Sequence, residues 1–263
     1  MNGAHTAVSP VDVTNIEGTG AFVIVCEHAS NAVPPEYGDL GLDAAALQSH
    51  IAWDPGALGV ARHLSELLDA PLVAQRFSRL LYDCNRPPEA PSSIPAVSEI
   101  YRIPGNEGLS GKARGERADR FYHPFKTALS QAIDDRPAPP AIVTIHSFTP
   151  IYEGVSRQVE IGILHDDDTR LADAVLAAPG AGGGLVVRRN EPYGPQDGVT
   201  HTLREHALPR RLLNVMIEIR NDLIATAENQ AAMAERLSSW LAGGLVALTK
   251  NTGDKEAAVW ARP

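Results

Sequence analysis

Only two cysteines, Cys26 and Cys84, occur in 263 residues. That is too few for a disulfide scaffold, and neither sits in a C-x-x-C pair, so a cross-linked secreted fold and a thiol-redox motif are not expected. Long apolar runs are also missing. The hydrophobic stretches are strand-length or are broken by charge and glycine, so no membrane span is expected. The opening residues, MNGAHTAVSPVDVTNIEG, lack the basic and then apolar pattern of a signal peptide, which makes the cytoplasm the expected location. Basic residues are in deficit: 23 Lys and Arg stand against 32 Asp and Glu, a net charge of −9. A nucleic-acid partner is not expected of so acidic a chain. A small anionic partner is still compatible, because a few clustered arginines dominate the field close to them.

What is present suits one α/β domain over residues 1–263, with loose tails at 1–19 and 250–263. The hydrophobic share of 44% is enough to bury a sizeable core. Ala21–Cys26 (AFVIVC), Ala141–Ile145 (AIVTI) and Leu212–Ile219 (LLNVMIEI) are continuous apolar runs rich in β-branched residues, the pattern of strands buried on both faces. Pro71–Gln75, Val159–Leu164 and Leu185–Arg188 read as further strands. Helices are expected at Asp43–Ile51, Gly56–Leu68, Gly111–Asp135, Asp168–Ala178 and Ala225–Leu248, the last interrupted at Gly243–Gly244. In the second helix Leu58, Ala61, Leu64, Leu67 and Leu68 mark an apolar stripe. The Pro- and Ser-rich segment from Arg86 to Ser110 reads as a long surface loop, of a length usually tied to function or disorder. Alternating strands and helices predict a mostly parallel or mixed central sheet with helices on both faces. Ligands of such sheets bind beyond the carboxyl ends of the strands.

Chemically useful residues fall at those ends. AFVIVC runs into Glu27-His28-Ala29-Ser30-Asn31, AIVTI into His146-Ser147, and LLNVMI into Glu218-Ile219-Arg220. Two imidazoles and a carboxylate are thereby directed to one sheet edge. Imidazole is a common zinc ligand, and a catalytic zinc keeps three protein ligands and one open position. His28 and His146 are the expected ligands of a zinc or other divalent ion. Glu218 is the expected general base and acid. Asp54, in His50-Ile51-Ala52-Trp53-Asp54, is the best third ligand, and its competing reading is a helix N-cap ahead of Pro55-Gly56. Asn31 is a poorer ligand because its amide is neutral, and Glu27 and Asn31 are candidates to support the ligands from behind. His63, His123 and His165 lie in contexts that favour ordinary structural roles.

A second cluster, Arg79-Leu80-Leu81-Tyr82-Asp83-Cys84-Asn85-Arg86, offers anion binding. Arg86 presents a planar fork suited to a carboxylate, Asn85 another donor, and Arg79 a group to polarise an acyl carbonyl or hold a second carboxylate. The plainer alternative is a loop arginine paired with Asp83 at the surface. Arg114, Arg117 and Arg120 read mostly as a solvated helix face. Ser30 and Ser147 are not in a G-x-S-x-G elbow, which disfavours a serine hydrolase.

The segments CEHASNAVP (Cys26 to Pro34), HIAWDPGA and RLLYDCNRP resemble the N-formylglutamate amidohydrolase family over about residues 20–245. More distantly, DCNRP, TIHSF and IEIRND are similar, in the same order, to the carboxylate-binding Asn-Arg, the late zinc His-Ser and the catalytic Glu segment of zinc carboxypeptidases. The resemblance implies a phosphorylase/hydrolase-like α/β fold with a site of zinc-exopeptidase type. It implies zinc on His28 and His146, carboxylate binding by Asn85 and Arg86, and Glu218 as proton shuttle. The implied reaction is metal-dependent hydrolysis of a small anionic N-acyl amino acid, foremost N-formyl-L-glutamate to glutamate and formate. The alternatives are a hydrolase for another N-acyl amino acid or small peptide, and an inactive carboxylate-binding homologue. One departure is clear: carboxypeptidases use His-x-x-Glu, whereas this chain has His28-Ala29-Ser30-Asn31. The missing carboxylate leaves the third ligand open and directs attention to Asp54.

Overall fold

Strands form where β-branched and aliphatic residues run without interruption, and in the computed structural model, which describes residues 9–178 and 182–252, these runs stack side by side. The strands are β1 (Val11–Thr14), β2 (Phe22–Cys26), β3 (Leu72–Gln75), β4 (Ala141–Phe148), β5 (Ile161–Leu164), β6 (Val187–Arg189) and β7 (Asn214–Arg220). They make one mixed seven-stranded sheet in the spatial order β1, β3, β2, β4, β7, β5, β6. β3, β2, β4 and β7 are mutually parallel at its centre. β1 is antiparallel to β3, and β5 to β7. From β2 the chain goes first to one neighbour, β3, and later returns on the other side as β4. That reversal makes the gap between the carboxyl ends of β2 and β4 a topological switch point, where open α/β sheets bind ligands.

The helices are α1 (Ala44–Gln48), α2 (Ala57–Leu67), α3 (Gly111–Arg117), α4 (His123–Asp134), α5 (Arg170–Leu176) and α6 (Ala227–Thr252). Side chains alternate across each strand, so every strand serves two cores. On one face Ile24, Val143, Ile145 and Ile217 pack against α2, α5 and α6. On the other, Val23, Val25, Ile142 and Met216 pack against α4 and the segments 40–52 and 80–103. His146 shares the parity of Ile142, and Glu218 that of Met216. Both therefore face the second core, at the strand ends where it opens.

Several local expectations change. Val11–Thr14 is an edge strand paired with Leu72–Gln75, although residues 1–19 read as a loose tail; residues 1–8 and 253–263 lie outside the described residues. α6 passes through Gly243–Gly244 without interruption. In α2, Val60 is buried and Leu67 is 52% exposed, so the apolar stripe is turned from the expected one. The helix expected over Gly111–Asp135 is capped by Ser110, whose side chain accepts from the Ala113 N–H, but it widens into a π turn at Ala118–Tyr122. β4 extends to Phe148, carrying His146 and Ser147 within the strand itself. Among the described residues, no helix is long and apolar enough to cross a membrane.

Candidate active site

His28 lies two residues beyond β2, and His146 and Glu218 are opposite each other in the register of β4 and β7. Asp54 reaches the same point from the loop ahead of α2. Its backbone N–H donates to the His28 carbonyl at 2.9 Å, tying that loop to the end of β2. The N-cap of α2 is Gly56, in the left-handed region at φ 83°, so the Asp54 side chain is not spent on capping. A Cβ at Gly56 would stand 2.5 Å from the Ile224 carbonyl, which explains a glycine there.

The atoms converge closely. Asp54 Oδ2 is 3.2 Å from His28 Nδ1 and 3.0 Å from His146 Nδ1, and the two ring nitrogens are 3.2 Å apart. All three residues are buried. The far nitrogen of each ring faces another carboxylate. His28 Nε2 is 2.7 Å from Asp83 Oδ1. His146 Nε2 is 3.1 Å from Glu27 Oε2, close enough for a charge contact but without hydrogen-bond alignment. Carboxylates on the outer nitrogens fix ring orientation and leave the inner ones to coordinate.

This donor set fits a divalent metal. His28, Asp54 and His146 form a group in which one ligand atom from each residue lies within 4.8 Å of the others. Tetrahedral zinc with bonds of about 2.0–2.1 Å requires ligand atoms roughly 3.3 Å apart, near the spacing of these three. The electrostatics point the same way. Burial opposes charge on His28 and His146, and the Arg79 charge also opposes it on His28, yet the acids around them raise both pKa values. Burial opposes ionisation of Asp54 and Asp83 as well, but His28 and Arg79 respectively lead the charges that hold them below the ordinary carboxylate range. Both directions favour added positive charge at this centre, which a divalent cation could supply.

Glu218 differs from these acids. Burial, reinforced by Asp54, pushes its pKa up to about 7 against the pull of His146, His28 and Arg79. Its Oε2 is buried without a hydrogen-bond partner. A carboxyl group held near neutrality, with one oxygen free, suits proton transfer in either direction.

These groups line a cavity of about 590 Å³, together with Arg79, Asp83, Asn85, Arg86, Arg157 and Tyr193. The long loop after Arg86 supplies part of the wall through Ser92, Pro95, Val97, Ser98 and Glu99. The Gly- and Pro-rich loop over 190–200, which follows β6, supplies Pro192, Tyr193, Asp197 and Val199. Arg79 is braced between Asp83 and Asp54, its guanidinium 3.5 Å from Asp54 Oδ1. Arg86 lines the cavity while donating to the carbonyls of Asn85 and Gly198 at 3.0 and 2.7 Å. Asn85 also lines it, but its amide donates to the Val199 carbonyl and accepts from the Thr202 N–H, so both ends hold the neighbouring loop. Asn31 is turned away, donating to the Leu47 carbonyl at 3.0 Å.

Some features escape the sequence. Asp83 is buried beneath His28 rather than at the surface. Arg157 and Tyr193 belong to no motif, and only their position on loops following strands hints at them. The helix arginines are not a plain solvated face: Arg114 donates to the Ala90 and Ile94 carbonyls, and buried Arg117 to Asn106 and the Gly105 carbonyl, stapling the long loop. Ser147 Oγ donates to the Pro55 carbonyl at 2.8 Å, a structural use for that hydroxyl.

Comparison with known proteins places this geometry in context. The crystal structure of gene product Atu2144 from Agrobacterium tumefaciens is 57% identical, with a TM-score of 0.89 over 91% of this chain and 96% of that one. An N-formylglutamate amidohydrolase from Ralstonia eutropha JMP134 shares the fold at 19% identity, with a TM-score of 0.58 over 89% of this chain and 98% of that one. No curated protein matches the chain. The N-formylglutamate amidohydrolase family model matches residues 20–225, which hold every strand of the sheet but β1 and every residue of the centre described above, and the chain belongs to that family.

Proposed function

We propose that the protein is a metal-dependent amidohydrolase that cleaves the amide bond of an N-acyl amino acid, with N-formyl-L-glutamate as its substrate. The observation that carries the reading is the meeting of His28, Asp54 and His146 at one point beside the buried carboxyl of Glu218, one oxygen of which has no hydrogen-bond partner. A divalent ion held by those three residues, zinc by the nature of the donors, would supply Lewis acidity and make a water easier to deprotonate near neutral pH.

The protein's own groups do the rest. Glu218 takes the proton of the attacking water as the new C–O bond forms at the acyl carbon. It returns that proton to the amide nitrogen as the C–N bond breaks, releasing the free amine and the short-chain acid. Arg86 holds the α-carboxylate with the donors that its backbone contacts leave free. Arg79, fixed by Asp83 and Asp54, places a positive charge beside the developing oxyanion. Asp83 and Glu27 hold the two imidazoles in orientation. Cys26 and Cys84, both buried and unpaired, are in keeping with a reducing compartment such as the cytoplasm.

Elemental analysis of the purified protein, paired with amine release from N-formyl, N-acetyl and N-succinyl amino acids, tests the reading. About one zinc per chain and fastest release from N-formyl-L-glutamate is the expected result. Bound zinc with no release from any of these compounds would instead identify a carboxylate-binding relative without hydrolytic activity.

A further inference from the structure

Three guanidinium groups line the cavity, and two are already engaged: Arg79 by Asp83 and Asp54, and Arg86 by the carbonyls of Asn85 and Gly198. Arg157 is different. It follows the hairpin Ile151–Ser156 that connects β4 to β5, and it is half-buried. Among the described residues it forms no ion pair with a carboxylate, and its donation to the Thr149 carbonyl is long at 3.4 Å. Aromatic rings surround it instead. Its guanidinium carbon lies 4.5 Å from the ring centre of Tyr152, 4.9 Å from Tyr193 and 5.6 Å from Phe148.

Such a cage holds a cation in place and shields it from water without cancelling its charge. An uncompensated guanidinium on a cavity wall is a site for an anion, above all a carboxylate, which it can hold through two hydrogen bonds. Tyr193, against which Arg157 stacks, lines the same cavity as Glu218, so this wall and the reaction centre share one space.

An N-acyl dicarboxylic amino acid brings two carboxylates, and one cation cannot hold both. We propose that Arg157, in its cage of Phe148, Tyr152 and Tyr193, binds the side-chain carboxylate of the substrate and sets the preference for acidic over neutral amino acids. The proposal rests on the amidohydrolase reading above and adds the residue that selects the side chain.

The test is the ratio of kcat/KM for N-formyl-L-glutamate to that for N-formyl-L-glutamine, which has the same shape but no side-chain charge. Arg157→Gln should lower this ratio roughly 10²-fold, mainly through KM for the glutamate compound, because the charge partner of its side-chain carboxylate is lost. Arg157→Lys, which keeps the charge but not the fork, should restore part of the ratio. A variant that loses both substrates equally, with the ratio unchanged, overturns the assignment and leaves the amidohydrolase reading standing. Wild-type protein that hydrolyses neither compound overturns both.

Discussion

A carboxyl group that titrates near 7 can exist in both protonation states while a reaction proceeds, and Glu218 owes this to burial. Glu218→Gln keeps the shape and removes the proton chemistry. We expect kcat to fall by at least 10³-fold, while zinc affinity, followed by competition with a chromogenic chelator, stays within a few-fold of wild type. Retention of full activity would remove Glu218 from the mechanism. Asp83 acts at one remove. It faces His28 Nε2 and steadies Arg79, so Asp83→Asn should weaken zinc binding about 10–100-fold in the same titration. Unchanged affinity would reduce Asp83 to a structural acid. These residues were not equally legible. His28, His146 and Glu218 stand at the ends of apolar runs, and strand geometry alone sends such residues to one rim. Asp83 sits in a loop beside two arginines, where composition gives no sign of burial. Asn85 and Arg86 were visible as donors, but which acceptors they would meet depended on the loop at Gly198–Thr202, distant in sequence and brought close only by the fold.

At the scale of elements, the buried strands were readable because continuous β-branched runs have few other ways to lie. The ends of elements were harder. β1 is short and polar on alternate positions, and only pairing with β3 makes it a strand. The π turn at Ala118–Tyr122 has no sequence signature, and the loop it helps to support is held by Arg114 and Arg117 rather than by any pattern of its own. The pair Gly243–Gly244 reads as a break because glycine weakens helices, yet α6 continues through it. The two glycines have different reasons to be there. A Cβ at Gly243 would meet nothing within 4 Å, whereas one at Gly244 would stand 3.2 Å from both Cγ2 and the backbone nitrogen of Val175 in α5. Gly243→Ala should therefore stabilise the protein by about 0.5–1 kcal/mol in urea unfolding, through lower chain entropy in the unfolded state. Gly244→Ala should forfeit that gain, because α5 has to move away from α6 to admit the methyl group. Equal stabilisation by both would show that the close approach of these helices is not set by Gly244.

For the whole molecule, the centre joins pieces of chain that are far apart in sequence: the end of β2, the loop at Asp54, the segment Arg79–Arg86, β4 and β7. Glu27, Asp54, Asp83 and Glu218 lie buried around it, four acids against the permanent charges of Arg79 and Arg86 beside them, in a chain whose net charge is already −9. Gathering so much negative charge out of water is unfavourable unless a cation is present. On the proposed function, a metal on His28, Asp54 and His146 would stabilise the fold as well as activate the site, and the two effects should vanish together. Removing it with dipicolinate should abolish amine release and lower Tm by roughly 5–10 °C, the shift expected when a ligand held at a hundred times its Kd is withdrawn from a domain of this size. Stoichiometric zinc should restore both, while magnesium, which prefers an all-oxygen octahedron to two imidazoles and a carboxylate, should restore neither. A chelated protein that keeps its Tm and its activity would mean that the imidazoles and acids of this centre balance one another without a metal, and the hydrolytic reading would then have to rest on Glu218 and the arginines alone.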